Sequence, residues 1–203
     1  MPKVVDHDQR RREIIDVVWR LLATRGMAAL SMRAIAEEAG YANGVLAYYF
    51  ADKDALLRAA HELVFAATNE RIVRASGDAR GLSALRAVCG EIMPVTEESL
   101  LEARIATALW QRAMYDEDTR AASTAAWDEW RRLIERHLKD AVTDGEIDSI
   151  DLPVAADNVL TVLMGFQVTA SLAPESMTPE HQWSVLEHSL RQTRTGRSCR
   201  KER

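Results

Sequence analysis

Ser31, Arg33, Tyr49 and Lys53 carry the groups that bind a phosphate ester: two cations and two hydroxyls, gathered within twenty-three residues. Ser31 is a helix N-cap type, so the amides of Met32 and Arg33 fall at a helix start, where orphan N–H groups and the macrodipole favour an anion. Arg33 adds a full charge there. Lys53 follows Asp52, another N-cap type, and would grip a second phosphate from the next helix start while the Tyr49 hydroxyl donates to the same strand. Such contacts position a protein on a backbone without reading sequence. Reading falls to the residues between them. Asn43 either caps its helix or hydrogen-bonds an adenine edge, and Gly44 permits close approach. Val45 and Ala47 offer methyl contacts to thymine, and Tyr48 reaches a base or the backbone.

The elements that must hold these side chains are legible in SMRAIAEEAGYANGVLAYYF, residues 31–50. Counted from Met32, alanine is fifth (Ala36), glycine ninth (Gly40) and leucine fifteenth (Leu46). A small residue at Ala36 lets two helices cross closely, Gly40 supplies the positive φ of a tight turn, and Leu46 buries the second helix. The spacing describes a helix-turn-helix, whose second helix enters the major groove of DNA. Upstream, Ile14, Ile15, Val17, Val18, Leu21 and Leu22 mark an amphipathic helix from Arg12 to Arg25, ended by Gly26. Arg10, Arg11 and Arg12 before it read either as a solvated helix start or as a DNA-binding arm.

Ser31 predicts a helix to Ala39, and Ala42 or Asn43 opens one that ends near Phe50, which packs on the first helix. Asp52 caps a longer helix carrying Leu56, Ala60, Leu63, Val64 and Ala67 as far as Ser76-Gly77. Five more helical segments follow, over 82–93, 98–115, 117–143, 153–172 and 179–194, with breaks at Gly77–Gly81, Pro94–Thr96, Gly145–Pro153 and Pro174–Pro179. No stretch alternates as a strand. The expected fold is all-α: an N-terminal three-helix DNA-binding domain over 8–60, with its motif at 31–50, then a C-terminal helical domain over 61–195. The basic segment 196–203 should stay disordered.

Charge divides along the same line. Residues 1–60 hold nine Lys+Arg against eight Asp+Glu, whereas 61–203 hold seventeen against twenty-three, so only the first part suits a phosphate backbone. The histidines at 7, 61, 137, 181 and 188 form no HExxH, and Cys89 and Cys199 fit no metal spacing. With no glycine-rich phosphate loop and no nucleophile elbow, the chain reads as a non-enzyme without metal or cofactor. The start lacks a signal peptide's apolar stretch and no run of 18 apolar residues follows, which predicts a cytoplasmic protein that does not engage membranes.

The ordered set of the first amphipathic helix, Gly26, Ser31-Met32-Arg33-Ala34-Ile35-Ala36, Gly40, Tyr49-Phe50, Lys53 and Leu56-Leu57 resembles the DNA-binding domain of the TetR family of bacterial transcriptional regulators. Val45 and Ala47 stand where that family's commonest pattern has threonine and tyrosine. The choline-responsive betaine-synthesis repressors of the family also lack that tyrosine, begin Met-Pro-Lys-Val and carry an arginine run. Ala103-Arg104-Ile105 through Trp110 to Tyr115, then Asp116 to Trp130, is loosely similar to their second domain. The resemblance implies a homodimeric repressor released from a near-palindromic operator by a small-molecule inducer, though an activator of the same build fits the sequence as well.

Two expectations follow for the second domain. The helix 154–172 is apolar on nearly every side, and with Trp183, Val185, Leu186 and Leu190 of 179–194 it would form a patch that a two-fold axis doubles into a four-helix interface. Phe65, Met93, Trp110, Met114, Trp127, Trp130, Met164 and Phe166 are candidate lining for a ligand pocket, each equally describable as core. Glu102, with Glu91 or Asp157, could supply negative charge. Aromatic rings with a carboxylate suit a cationic amine, choline-like or polyamine-like.

Overall fold

The computed structural model describes residues 7–26 and 29–194 and is all-α, with no strand among the described residues. Among the described residues nine helices follow in order: α1 (His7–Arg25), α2 (Met32–Glu38), α3 (Asn43–Tyr49), α4 (Lys53–Ser76), α5 (Gly81–Ile92), α6 (Glu97–Ala113), α7 (Glu117–Thr143), α8 (Leu152–Leu172) and α9 (Pro179–Arg194). The basic segment 196–203 and Cys199 lie outside the described residues.

Capping residues set the helix starts. Ser31 Oγ accepts from the Ala34 amide at 3.2 Å and Asp52 Oδ1 from the Ala55 amide at 2.7 Å. Thr96 and Ser99 form a reciprocal capping box at α6, and Asp116 and Asp151 cap α7 and α8. Gly40 takes φ +71°, in open space, so the turn between α2 and α3 needs glycine for its backbone alone.

Two clusters bury the apolar faces. The first joins Ile14, Val18, Leu21 and Leu22 of α1 to Ile35, Leu46, Phe50 and Leu56, and it also takes in Ile105 and Leu109 from α6. The second packs Ile72, Leu85, Val88, Ile134, Leu138, Val159, Leu163, Leu186 and their neighbours. Helix α4 runs unbroken between them, giving Leu56 to one and Ile72 to the other. Around the end of α5, Gln167 Nε2 donates to the Ile92 carbonyl at 2.6 Å, and Gln182 Nε2 to those of Pro94 and Met177 at 3.1 and 2.9 Å. The bonds to Ile92 and Pro94 satisfy carbonyls that the break at Pro94 leaves without helical partners, and the bond to Met177 satisfies one just before α9. Cys89 is a packed thiol, its pKa pushed up to about 12 by burial.

Candidate nucleic-acid interface and aromatic cavity

Ser31, Arg33, Gly44, Val45, Ala47 and Tyr48 are all exposed, whereas Leu46 between them is fully buried. Helix α3 therefore presents one face to solvent and seats the other on α1. Tyr48 is 72% exposed and Val45 42%, unusual for large apolar groups and placed where a groove-facing helix must offer contacts. Ser31 Oγ satisfies Ala34, leaving Met32 and Arg33 as the first two helical residues with outward N–H groups. The Met32 side chain turns inward onto the first cluster, so its contribution is the amide. Lys53 opens α4 and is partly buried. Ala42 takes the N-cap position of α3 without a side-chain bond, and the side chain of Asn43 lies outside the described residues.

Part of the arginine run has a different occupation from either reading made of it. Arg11 Nη1 donates to the Tyr49 carbonyl at 2.8 Å, and its guanidinium lies 4.4 Å from the centroid of the Phe50 ring. Arg10 Nη1 donates to Glu13 Oε2 at 2.9 Å and to the Tyr41 hydroxyl at 2.8 Å. Both side chains tie the start of α1 to the turn and the end of α3, because each has an acceptor and an aromatic face within reach. Arg12 is exposed. The His7 ring lies 5.7 Å from those of Tyr48 and Tyr49, which meet each other edge-on at 5.3 Å. This aromatic group orients the Tyr49 side chain, which is itself partly buried.

Between α4, α6 and α7 lies a small cavity of about 30 Å³, bordered by Phe65, Trp110, Trp127, Trp130 and Glu102, with further wall from residues that include His61, Thr68, Ile92, Ser99 and Gln167. It holds about two waters, not an organic molecule, unless its helices part. Trp110 and Trp127 meet edge-on at 5.3 Å, and Phe65 lies 5.1 Å from Trp130. Trp130 Nε1 donates to Asn69 Oδ1 at 2.9 Å. By contrast, Trp110 Nε1 is buried without a hydrogen-bond partner among the described residues, a donor left for something else.

One guanidinium controls the charge at this cavity. Arg71 donates from Nη2 to Glu102 Oε2 at 2.7 Å, from Nη1 to Oε1 at 3.0 Å, and from Nε to Glu91 Oε2 at 3.1 Å. Burial works against its charge, but the bonds from Glu102 and Glu91 outweigh that and raise its pKa. Burial pushes the Glu102 carboxyl up, against the pull of Arg71 and with the repulsion of Glu98 and Glu91. Glu102, Glu91 and Glu98 thus gather around one cation, an excess of negative charge of which only Glu102 borders the cavity. His61, its pKa lowered by burial, adds no compensating charge near neutrality.

Several residues considered from sequence stand elsewhere. Met93 is fully buried in the second cluster, where the break at Pro94 turns it inward. Phe166 and Met164 pack on that cluster because α8 faces α7 and α9 there, and Met114 is 70% exposed at the end of α6. Asp157 is on the surface, paired with Arg131. Glu91 pairs with Arg71 but does not line the cavity. Arg71 itself had escaped notice. Its signal was an arginine in register with Val64 and Thr68 on the inward stripe of α4, where a charge needs a buried partner.

Helix α6 joins the two regions. Glu102, Ala106 and Trp110 border the cavity, while Ile105 and Leu109, one residue round the helix, lie in the first cluster with α1 and α4. At its end Arg112 Nη1 lies 3.5 Å from Asp54 Oδ2 in the first turn of α4, next to Lys53. A displacement of α6 at the cavity therefore moves side chains in the core beneath α1–α3.

Known proteins agree with this architecture. Residues 14–60 match the bacterial regulatory proteins of the tetR family, and residues 82–195 match the BetI-type transcriptional repressor C-terminal family. The HTH-type transcriptional regulator PksA of Bacillus subtilis is 30% identical over 86% of this chain and 84% of its own. The HTH-type transcriptional regulator BetI of Burkholderia ambifaria is 34% identical over 57% of this chain, and the match spans 61% of its length. Among solved structures, a Rhodococcus transcriptional regulator superposes with a TM-score of 0.79 at 20% identity, covering 92% of this chain and 96% of its own. A transcriptional regulator from Saccharomonospora viridis in complex with choline does so with 0.79 at 19% identity, covering 91% and 96%. With a helix-turn-helix head, a helical second region and both matched in order along one chain, this protein belongs to the TetR family of DNA-binding transcriptional regulators, with a C-terminal region of the BetI type.

Proposed function

We propose that two copies of this chain, one domain of each (8–60) on DNA and the other (61–195) joined in a dimer, repress transcription in the cytoplasm from a near-palindromic operator. A small organic cation releases them. Ser31, Met32, Arg33, Tyr49 and Lys53 grip phosphates, and Asn43, Gly44, Val45, Ala47 and Tyr48 read bases. Two heads address half-sites about 34 Å apart, or a multiple of it.

The dimer reading rests on an exposed stripe of α8. Val154, Asn158, Thr161, Gly165, Val168 and Leu172 recur at alternating spacings of four and three, and all are exposed, with Leu172 at 78%. Such a seam suits a partner helix. From α9 the partner would meet His181, Ser184 and His188, because Leu186 and Leu190 are buried in their own core and Trp183 packs under Arg86. That replaces the patch of Trp183, Val185, Leu186 and Leu190 expected from sequence.

The effector reading is carried by α6, which has one face on the cavity and the other in the core of the DNA-binding head. Four aromatic rings under a negative field favour a cation. Support of a different kind comes from the fold neighbour in complex with choline. Because the cavity is closed at about 30 Å³, a ligand must select an open state, and the closed state is then the one that holds DNA. Coupling of about 1–3 kcal/mol would weaken DNA binding roughly 5–150-fold, and DNA would weaken the ligand equally. Choline titrated into a fluorescent DNA complex should lower anisotropy, whereas its neutral isostere 3,3-dimethylbutan-1-ol should not. Equal release by both would remove charge from the account, and unequal coupling factors by anisotropy and calorimetry would remove the two-state scheme.

A further inference from the structure

The Arg71–Glu102 pair sits between two spaces. Outside it, a groove of about 250 Å³ is bordered by Arg71, Glu91, Met93, Thr96, Glu98 and Ser99. Inside it lies the aromatic cavity, bordered by Glu102 and sharing Ser99. The guanidinium belongs to the groove's wall and the carboxylate to the cavity's, so the two-pronged bond at 2.7 and 3.0 Å is the partition. Thr68 Oγ1 accepts a further bond from Arg71 at 3.1 Å, anchoring the fork to its own helix.

We propose that Arg71 is the resident counter-cation of this cavity, and that an incoming organic cation is admitted by exchanging with it at Glu102. The proposal rests on the reading of the cavity as a cation site and adds how the site is kept closed and how its occupation is felt. A buried carboxylate that stays ionised needs a cation, because an unpaired charge there is strongly disfavoured. Arg71 fills that need when the cavity is empty. Glu91 and Glu98 on the groove attract a cation to the outer side and offer Arg71 somewhere to go, since Glu91 already holds its Nε at 3.1 Å. Exchange therefore conserves charge pairing on both sides of the wall. It also cuts the tie between α4, which carries Arg71 and begins at Lys53, and α6, which carries Glu102. An uncharged ligand gains nothing from the exchange, so the pair selects for charge at the door as well as in the cavity.

The test uses the full chain with choline and 3,3-dimethylbutan-1-ol as a charged and neutral pair, followed by calorimetry and by the fluorescence of Trp110, Trp127 and Trp130. Arg71→Gln removes the competitor. The ratio of choline affinity to isostere affinity should then rise about tenfold or more over the natural chain, one factor of ten being a modest share of a buried charge pair. Arg71→Lys, which keeps a charge but not the fork, should fall between the two and guards against misfolding of the glutamine variant. Glu102→Gln should bring the ratio close to one. A ratio unchanged in both Arg71 variants, with the two ligands gaining or losing together, would overturn the exchange and leave the cation cavity standing. Failure of choline to bind any of the four proteins would overturn both.

Discussion

Arg11 reaches across the DNA-binding head to the carbonyl of Tyr49 at 2.8 Å, donating from the far end of a guanidinium that lies 4.4 Å from the centroid of the Phe50 ring. Helix α3 ends at Tyr49 with Phe50 as its C-cap residue, and Arg11 both satisfies a terminal carbonyl and covers the aromatic ring that seats the helix. Arg11→Ala should cost about 1–2 kcal/mol in thermal or urea unfolding, the range of a charge-assisted hydrogen bond with a stacked ring. Arg11→Lys should recover only part, since an ammonium cannot stack as a plane. Unchanged stability in both would make the contact incidental.

Lys53 stands at the first position of α4, and the proposed DNA contacts give it a phosphate and no base. Lys53→Ala should weaken binding to specific and random duplexes alike and reduce the slope of log K against log salt by about one. An unaltered slope would take Lys53 off the phosphate contacts.

Two histidines, His137 buried and His61 partly buried, give the fold a pH dependence of known sign. Burial lowers the pKa of His61 below the ordinary 6.5. Burial, and then the charge of Arg136 against that of Asp140, lowers that of His137, whose Nδ1 is buried without a partner among the described residues. Between the folded and unfolded values the unfolded chain binds more protons, so stability is complete above 6.5 and is lost as the pH falls below it. The slope is at most about 1.4 kcal/mol per pH unit for each histidine. Unfolding followed from pH 7.5 to 5.5 should show this loss, and His61→Gln with His137→Gln should flatten it. A slope that survives the double substitution would assign it to other groups.

Val168 and Leu172 are 41% and 78% exposed on the α8 stripe, so a charge there disturbs the folded chain little. Val168→Glu combined with Leu172→Glu should halve the mass seen by light scattering and weaken operator binding by at least about tenfold, because one head then meets one half-site. A dimer that persists would place the interface elsewhere.

The helices were legible because their determinants are local. Ser31 and Asp52 announce the starts of α2 and α4 by side-chain chemistry alone, Gly26 and Gly40 mark turns through φ, and the observed boundaries fall within two residues of the expected ones except the start of α1, which lies five residues earlier than Arg12. The exposed face of α3 was legible for the same reason, since Leu46 fixes which side is buried. Where two helices must choose faces, local pattern says less. Met114 and Trp110 are four residues apart on α6, yet the helix ends at Ala113 and leaves Met114 in solvent. Arg71 finds Glu91 and Glu102 across 20 and 31 residues, a pairing that no periodicity announces. On α9, an apolar stripe spent on the chain's own core looks in sequence like one spent on a partner.

The most direct test of the account is whether the exposed face of α3 reads DNA. Genomic fragments selected on the full-length protein at physiological salt would yield a duplex whose affinity is then compared with that of a scrambled duplex of equal length and composition. The account predicts a ratio of at least about 10³. It also predicts that Tyr48→Ala, removing the most exposed ring on that face, selects a different set of fragments. Equal affinity for selected and scrambled duplexes, or identical selection by the Tyr48 variant and the natural chain, would contradict it.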